Sequence, residues 1–252
     1  MASLRYLPRS LLTYVVGLLS TLIASAAVIA VSRFKPTSPV IEQVAHTWSK
    51  AWLSAAGVEL QTLGGENIDP GRSYVVVANH VSNLDVMICF VAVPIPIRFL
   101  AKRELFRIPI LATAMRAIGI VEVDRSARTA VHEQINTRSR DLVAAGRSLI
   151  IYPEGTRSRD AGLATFKKGA FTIAVGSQLP VLPVTIQGSY AAWPPGSPWV
   201  RGGRVTVAVD PAVETTGMTQ ADTGKLRDTV YAVIAGRLEG LERGELPRSA
   251  SS

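Results

Sequence analysis

The 252-residue sequence has one cysteine, Cys89, so no internal disulfide can form and the fold needs no oxidising compartment. Its apolar surroundings make Cys89 a core residue. Histidine is nearly as scarce. His46, His80 and His132 show none of the paired spacings that bind zinc, which argues against a metal site. No G-x-S-x-G turn supplies a serine nucleophile. A Lys/Arg-rich tract, zinc-finger spacing and an aromatic-interleaved RNA-binding signature are also missing, so no nucleic-acid partner is expected. The net charge of +8 still calls for an anionic partner, which leaves lipid head groups and phosphorylated small substrates.

Charge is absent altogether from Leu11 to Val31, LLTYVVGLLSTLIASAAVIAV, a stretch that as a helix would be about 31 Å long and could cross a bilayer. Arg5 and Arg9 precede it and Arg33 and Lys35 follow, so the positive-inside rule gives no orientation and a re-entrant placement stays open. A signal peptide cleaved near Ala24-Ser25-Ala26 and a buried core helix are the competing readings. Next, Ile41, Val44, Trp48, Trp52 and Ala55 recur at helical spacing. The two tryptophans suit either a lipid headgroup boundary or packing against a soluble domain.

Beyond Gly64-Gly65, short aliphatic runs at 73–78, 97–101, 119–124, 148–152, 181–187 and 204–209 read as strands. Helical stripes separate several of them: Leu111 to Ile118 closed by Gly119, then Val131, Ile135, Leu142 and Val143 closed by Gly146. The pattern predicts an α/β fold with a mixed, largely parallel sheet flanked by helices. Three regions follow: residues 1–62 as a membrane helix plus an amphipathic interfacial helix, 63–243 as the α/β domain, and 244–252 as a disordered tail. The last helix is expected from about Thr219 to Leu238.

One histidine and one aspartate interrupt the apolar run VVVANHVSNLDVMICFVAV. Ser82 as N-cap of a helix from about Asn83 to Val93, with Asp85 three positions on, forms a capping-box pattern that accounts for Asp85 on structural grounds. It does not account for His80. In a strand-to-helix turn, His80 could bond Asp85 through one ring nitrogen and face a cleft with the other, as half of a proton-transfer device. With no protein nucleophile nearby, such a pair would activate a substrate hydroxyl. After another aliphatic run, IIYPEGTRSRD offers Gly155 for close backbone approach, the Thr156 and Ser158 hydroxyls, and the planar guanidinium of Arg157 for a phosphate. An ordinary turn with a Glu154–Arg157 surface ion pair is the alternative. VDRSAR places Arg125 at a third strand end. Such ends would converge on one edge of a parallel sheet.

These segments resemble the 1-acyl-glycerol-3-phosphate (lysophosphatidate) acyltransferase family. NHVSNLD resembles its His-x-x-x-x-Asp motif, KRELFRIP with GIVEVDR its second, YPEGTRS its third and LPVLPVTI its fourth; FKKGAF also fits. All lie in the family's order between about Val75 and Gln187. The resemblance implies the glycerolipid acyltransferase fold with an N-terminal membrane-associated helical segment. It also implies an acyl transfer from acyl-CoA or acyl carrier protein to the sn-2 hydroxyl of a lysophosphatidate acceptor, at the cytoplasmic face of a membrane, with no metal, nucleotide cofactor or covalent enzyme intermediate. His80 is implied as general base and Asp85 as its orienting partner. Arg125 and Arg157, with Gly155 and Thr156, are implied as the phosphate clamp, Lys102 and Arg103 as further cations, and Glu154 as a holder of the arginines or the glycerol backbone. Backbone N–H groups at the start of the helix after His80 are candidate oxyanion donors. Glu122 departs from the apolar residue common at its position. Relatives that acylate glycerol-3-phosphate or lyso-ornithine lipid, and an inactive basic membrane-binding protein, are the other readings.

Overall fold

The computed structural model describes residues 4–123, 145–158 and 160–245. Seven strands form one sheet: β1 (Val58–Leu63), β2 (Val75–Ala78), β3 (Ile97–Lys102), β4 (Val121–Val123), β5 (Ser148–Ile151), β6 (Val181–Gln187) and β7 (Gly203–Val209). Their order is β1-β7-β6-β2-β5-β3-β4. From β6 to β4 the strands run parallel; β7 pairs antiparallel with β6 and parallel with β1. The fold is thus the mixed, largely parallel α/β sheet that the aliphatic runs predict.

The strands are short and aliphatic because both faces are covered. Along β2, Val76 and Ala78 join the core on one side while Val75 and Val77 join the core on the other. The first side carries α3 (Asp85–Ala92) and α4 (Pro109–Ile118), and the second α5 (Gly169–Ser177) and α7 (Thr223–Glu242); a single turn, α6 (Ser189–Ala192), follows β6. Gly119 ends α4 in the left-handed conformation, φ 86°, which a residue without Cβ adopts at no steric cost. The last helix begins at Thr223, after a capping box between Thr219 and Asp222. The stripe at 131–143 lies outside the described residues.

β1 was not expected as a strand. VELQTL contains two polar residues and a glutamate at an edge exposed to solvent, so it lacks the aliphatic run that marks the inner strands. It draws Val58–Thr62, assigned by sequence to the N-terminal segment, into the sheet beside β7.

Before the sheet come α1 (Leu7–Phe34) and α2 (Pro39–Ala55), an antiparallel pair packed on α3 and α4. Residues 4–34 have a mean hydropathy of 2.3 over their most apolar window and are long and apolar enough to cross a membrane. One stripe of α1 is small or polar and buried: Ser10, Thr13, Gly17 and Ser25, followed by Val28. The remainder of its circumference exposes Leu11, Leu18, Leu22 and Ile23. Both tryptophans of α2 point inward rather than to a headgroup boundary: Trp48 meets Phe90 edge-on, Trp52 stacks on Trp193, and both indoles donate to the Thr21 hydroxyl.

Candidate active site

Three neighbouring parallel strands, β2, β5 and β3, end along one edge of the sheet. The turn after β2 carries His80, that after β5 carries Glu154 to Arg157, and β3 ends at Lys102. Asn79 fixes the first turn: its side chain accepts from the Ile186 amide at 2.7 Å and donates to the Ile186 carbonyl at 2.9 Å, extending the ladder to β6 by one rung. Arg125 lies outside the described residues.

His80 Nδ1 is 2.8 Å from Asp85 Oδ2. The same carboxylate oxygen accepts from the Val81 and Ser82 amides, each at 2.8 Å, and Oδ1 accepts from the Ser189 hydroxyl at 2.8 Å. Asp85 therefore caps the chain and holds the imidazole at once; the two readings of its sequence position are not exclusive. Because the carboxylate accepts at Nδ1, the proton sits there and Nε2 is left basic. The helix starts later than the capping pattern suggests, at Asp85, and the Ser82 hydroxyl accepts from the Leu84 amide while donating to the Trp193 carbonyl.

The four amides between His80 and the helix are consumed by this turn. The amides of Val81 and Ser82 go to Asp85, that of Asn83 to the Trp193 carbonyl and that of Leu84 to Ser82. A turn tight enough to bring Asp85 back onto His80 spends its own N–H groups doing so.

Tyr152, the last residue before the Pro153-Glu154 turn, lies flat on the His80 ring, centroids 4.0 Å apart and planes inclined by 15°. Its hydroxyl ends against buried Cys89, at 3.5 Å from Sγ. Burial pushes the Tyr152 hydroxyl well above its ordinary range and the Cys89 thiol up to about 12, so neither ionises near neutrality and Cys89 is an inert core residue.

Among the described residues Glu154 pairs with no arginine. One carboxylate oxygen accepts from the His80 backbone amide at 2.6 Å; the other accepts from the Ser158 hydroxyl at 2.7 Å and the Ala164 amide at 3.2 Å. The Ser158 amide in turn donates to the His80 carbonyl at 3.0 Å, so the two catalytic-edge loops are laced together. Burial raises the Glu154 carboxyl above the ordinary glutamate value, and its hydrogen bonds oppose that rise. Gly155 is required by its backbone, with φ at 77°, and the absence of a side chain leaves room for Lys167 Nζ to lie against it. Arg157, exposed, donates to the Asn83 side chain.

Behind this edge lies a cavity of about 950 Å³, walled by α1, α2, α3, α4 and the strand ends. Its depth is apolar, with Val28, Phe90, Leu111 and Ile118 among its walls, and its polar mouth carries His80, Lys102, Thr156, Arg157, Lys167 and Lys168. Glu122 lies 3.7 Å from Arg103 and 3.9 Å from Arg116. The described residues hold no cluster of ligands suited to a metal ion.

Tyr152, Ser189, Asn83 and Lys167 carry parts of this site that sequence reasoning did not assign. Lys167 had a signal, the FKKGAF segment; Asn83 and Tyr152 lay inside motifs read for other residues; Ser189, 104 positions from Asp85, had none.

Comparison with known proteins places this geometry. The Acyltransferase family profile matches residues 59–187. A 1-acyl-sn-glycerol-3-phosphate acyltransferase of Chlamydomonas reinhardtii is 35% identical over 173 residues, covering 67% of this chain and 52% of that protein. Another, of Limnanthes douglasii, is 32% identical over 196 residues, covering 78% of this chain and 68% of that protein. The chain thus spans about half the length of the algal relative and two thirds of the plant one. The crystal structure of PlsC, a 1-acyl-sn-glycerophosphate (LPA) acyltransferase from Thermotoga maritima, superposes with a TM-score of 0.84 at 26% identity, covering 100% of both chains.

Proposed function

The chain belongs to the 1-acyl-sn-glycerol-3-phosphate acyltransferase family, and from this premise we propose that it transfers a fatty acyl group from an acyl thioester, acyl-CoA or acyl carrier protein, to the sn-2 hydroxyl of lysophosphatidate, giving phosphatidate. The observation that carries the reading is His80, held at Nδ1 by buried Asp85 and opening onto a cavity with a basic mouth and an apolar interior.

In this reading Nε2 of His80 takes the proton of the lipid hydroxyl as its oxygen bonds to the thioester carbonyl carbon. A lipid alcohol is a far weaker acid than an imidazolium, so proton removal accompanies attack. The tetrahedral intermediate then collapses, the carbon–sulfur bond breaks, and the thiolate leaves with the proton returned from Nε2. Asp85 keeps the ring in its tautomer and stabilises the imidazolium. Arg157, Lys102, Lys167 and Lys168 hold the acceptor phosphate, with Arg125 as a further cation and Gly155 and Thr156 giving the backbone close approach. Glu154 positions His80 through its amide. The amides of Thr156 and Arg157 are the donors for the oxyanion. No metal or cofactor has a part in these steps.

The apolar cavity takes the donor chain, since a chain arriving on a soluble carrier gains roughly 0.8 kcal/mol for each methylene removed from water. The soluble donor also puts the active site on the cytoplasmic face. One stripe of α1 is committed to packing and the remainder exposes leucines, which supports a helix pair lying in one leaflet rather than crossing both. The test is acylation of a lysolipid panel by the wild type and His80→Ala. Lysophosphatidate acylation lost about 10²-fold or more in His80→Ala is expected. Acylation of lyso-ornithine lipid with none of lysophosphatidate would overturn the acceptor, and unchanged turnover of His80→Ala would overturn the role of His80.

A further inference from the structure

Across Asn83 from the catalytic cavity lies a second depression, an open groove of about 650 Å³ between Tyr14 on α1, Trp52 on α2, Met87 on α3 and the loop from Trp193 to Pro198. Its walls are held in place. Tyr14 meets Trp193 edge-on at 5.6 Å and Trp193 stacks on Trp52 at 6.2 Å. The Tyr14 hydroxyl donates to the Pro198 carbonyl at 3.0 Å, and the Trp193 indole donates to the Ser197 carbonyl at 2.9 Å.

The groove adjoins both the reacting centre and the lipid-compatible surface. Trp52, Asn83 and Met87 line groove and cavity alike, and so form the partition between them. Asn83 accepts from the Arg157 guanidinium and reaches the Pro194 carbonyl at 3.4 Å, which sets the basic rim against the groove's inner end. At the outer end, Leu11 and Leu18 lie three residues before and four after Tyr14, on its stripe of α1, and are 60% and 63% exposed.

Acyl transfer to a lysolipid brings two chains to one site, and the cavity is read above as the donor's. The acceptor's own chain differs physically. It is already in lipid, so moving it into an apolar protein cavity exchanges one apolar medium for another and gains little. What it needs is an open, apolar path from the membrane to the reacting hydroxyl. We propose that the groove between Tyr14, Trp52, Trp193 and Pro198 takes the first carbons of the acceptor's resident acyl chain while the remainder stays in the membrane. This rests on the lysolipid acyltransferase reading of the site.

Pro198→Trp fills the groove from an exposed position and keeps the carbonyl that Tyr14 uses. With lysophosphatidates of acetyl, lauroyl and oleoyl chains presented with detergent micelles at one concentration, it lowers kcat/KM for the lauroyl and oleoyl acceptors by about tenfold, a change of ~1.4 kcal/mol. The acetyl acceptor, which has no chain to lay in the groove, and the donor KM change by no more than about twofold, which also shows that the variant is folded. Equal loss on all three acceptors, no loss on any, or a raised donor KM with the acceptor series intact overturns the proposal. A second measurement uses the unaltered protein: lysophosphatidate with a diazirine in its chain labels Tyr14 or the Trp193–Pro198 loop, whereas label on Phe90, Leu111 or Ile118 overturns it. Wild type that acylates no lysophosphatidate refutes the functional reading instead, and is told apart because it appears before any variant is made.

Discussion

The His80 ring rests on the face of Tyr152, centroids 4.0 Å apart and planes 15° from parallel. With Nδ1 tied to Asp85 and the backbone amide tied to Glu154, the stack removes the last soft rotation of the imidazole. In the proposed reaction it also puts an aromatic face beneath the imidazolium. Tyr152→Phe keeps the face and loses only the contact with Cys89, so turnover within about threefold of wild type is expected; Tyr152→Leu removes the face and lowers kcat about tenfold with KM little changed. A rise in KM alone would make Tyr152 no more than cavity wall.

Asp85→Asn replaces an acceptor of four hydrogen bonds by a group that must point an NH2 at some of its donors. Loss of about 10³-fold in kcat, with a fall in Tm, is the expected result. Ser189→Ala leaves the three bonds at Oδ2 intact and costs less, about 1 kcal/mol of stability and less than tenfold in turnover. Steady-state kinetics and thermal melts on both variants check the ordering; a Ser189→Ala enzyme as damaged as Asp85→Asn would contradict it.

The contrast shows what the sequence could and could not disclose. Inner strands were legible because a strand covered on both faces must be aliphatic, as SLII and VVVA are; β1, half-exposed at an edge, follows no such rule and is fixed by its pairing with β7. The contact of His80 with Asp85 was legible because it depends on a short spacing within one turn. Ser189 was not, since its contact with Asp85 exists only once β6 lies beside β2. The donors to Glu154 were not legible, because Arg157 looked like its partner while the three groups that bond it, the His80 amide, the Ser158 hydroxyl and the Ala164 amide, lie up to 74 positions away. The same holds for the amides after His80, which a sequence presents as free and the turn consumes.

Glu154 predicts a pH dependence. Its folded-state carboxyl is raised by burial, so the folded protein holds this proton more tightly than the unfolded chain does. The stability it contributes is therefore fully present below the ordinary glutamate value and is lost as pH rises through the raised one. Glu154→Gln does not titrate. The stability of wild type relative to Glu154→Gln, measured by urea unfolding across the carboxylate range, falls as pH rises; a difference independent of pH, or one of opposite slope, would refute the raised carboxyl.

Arg98, on β3, is 1% exposed and forms a bidentate pair with Glu42 of α2, at 3.0 and 2.5 Å. The neighbouring Arg147 is held below the usual arginine value by burial and by the Arg98 charge, so Glu42 is the carboxylate set against two guanidiniums. Glu42→Ala strands the buried charge and is expected to cost about 3–5 kcal/mol, while replacing both partners by apolar residues of similar size costs much less. The double-mutant cycle by chemical denaturation decides it, a coupling near zero being the adverse outcome.

The helix pair is also keyed at Gly17, where a Cβ would fall 2.3 Å from the Trp52 ring. No rotamer of the glycine position relieves such a contact, because the clash is with the first side-chain atom, and the indole is itself held by its stack on Trp193 and its bond to Thr21. Gly17→Ala must therefore push Trp52 off Trp193 or part α1 from α2. A single methyl group on a helix normally stabilises it by about 0.5–1 kcal/mol relative to glycine; here the overpacking cost of roughly 1–3 kcal/mol outweighs that gain. Shrinking the partner reverses the sign. In a Trp52→Ala background the added methyl meets no ring, so Gly17→Ala becomes neutral or stabilising, and thermal melts of the two single variants and the double variant reveal a strong favourable coupling. If the two substitutions instead add independently, α1 and α2 are not locked together at this point.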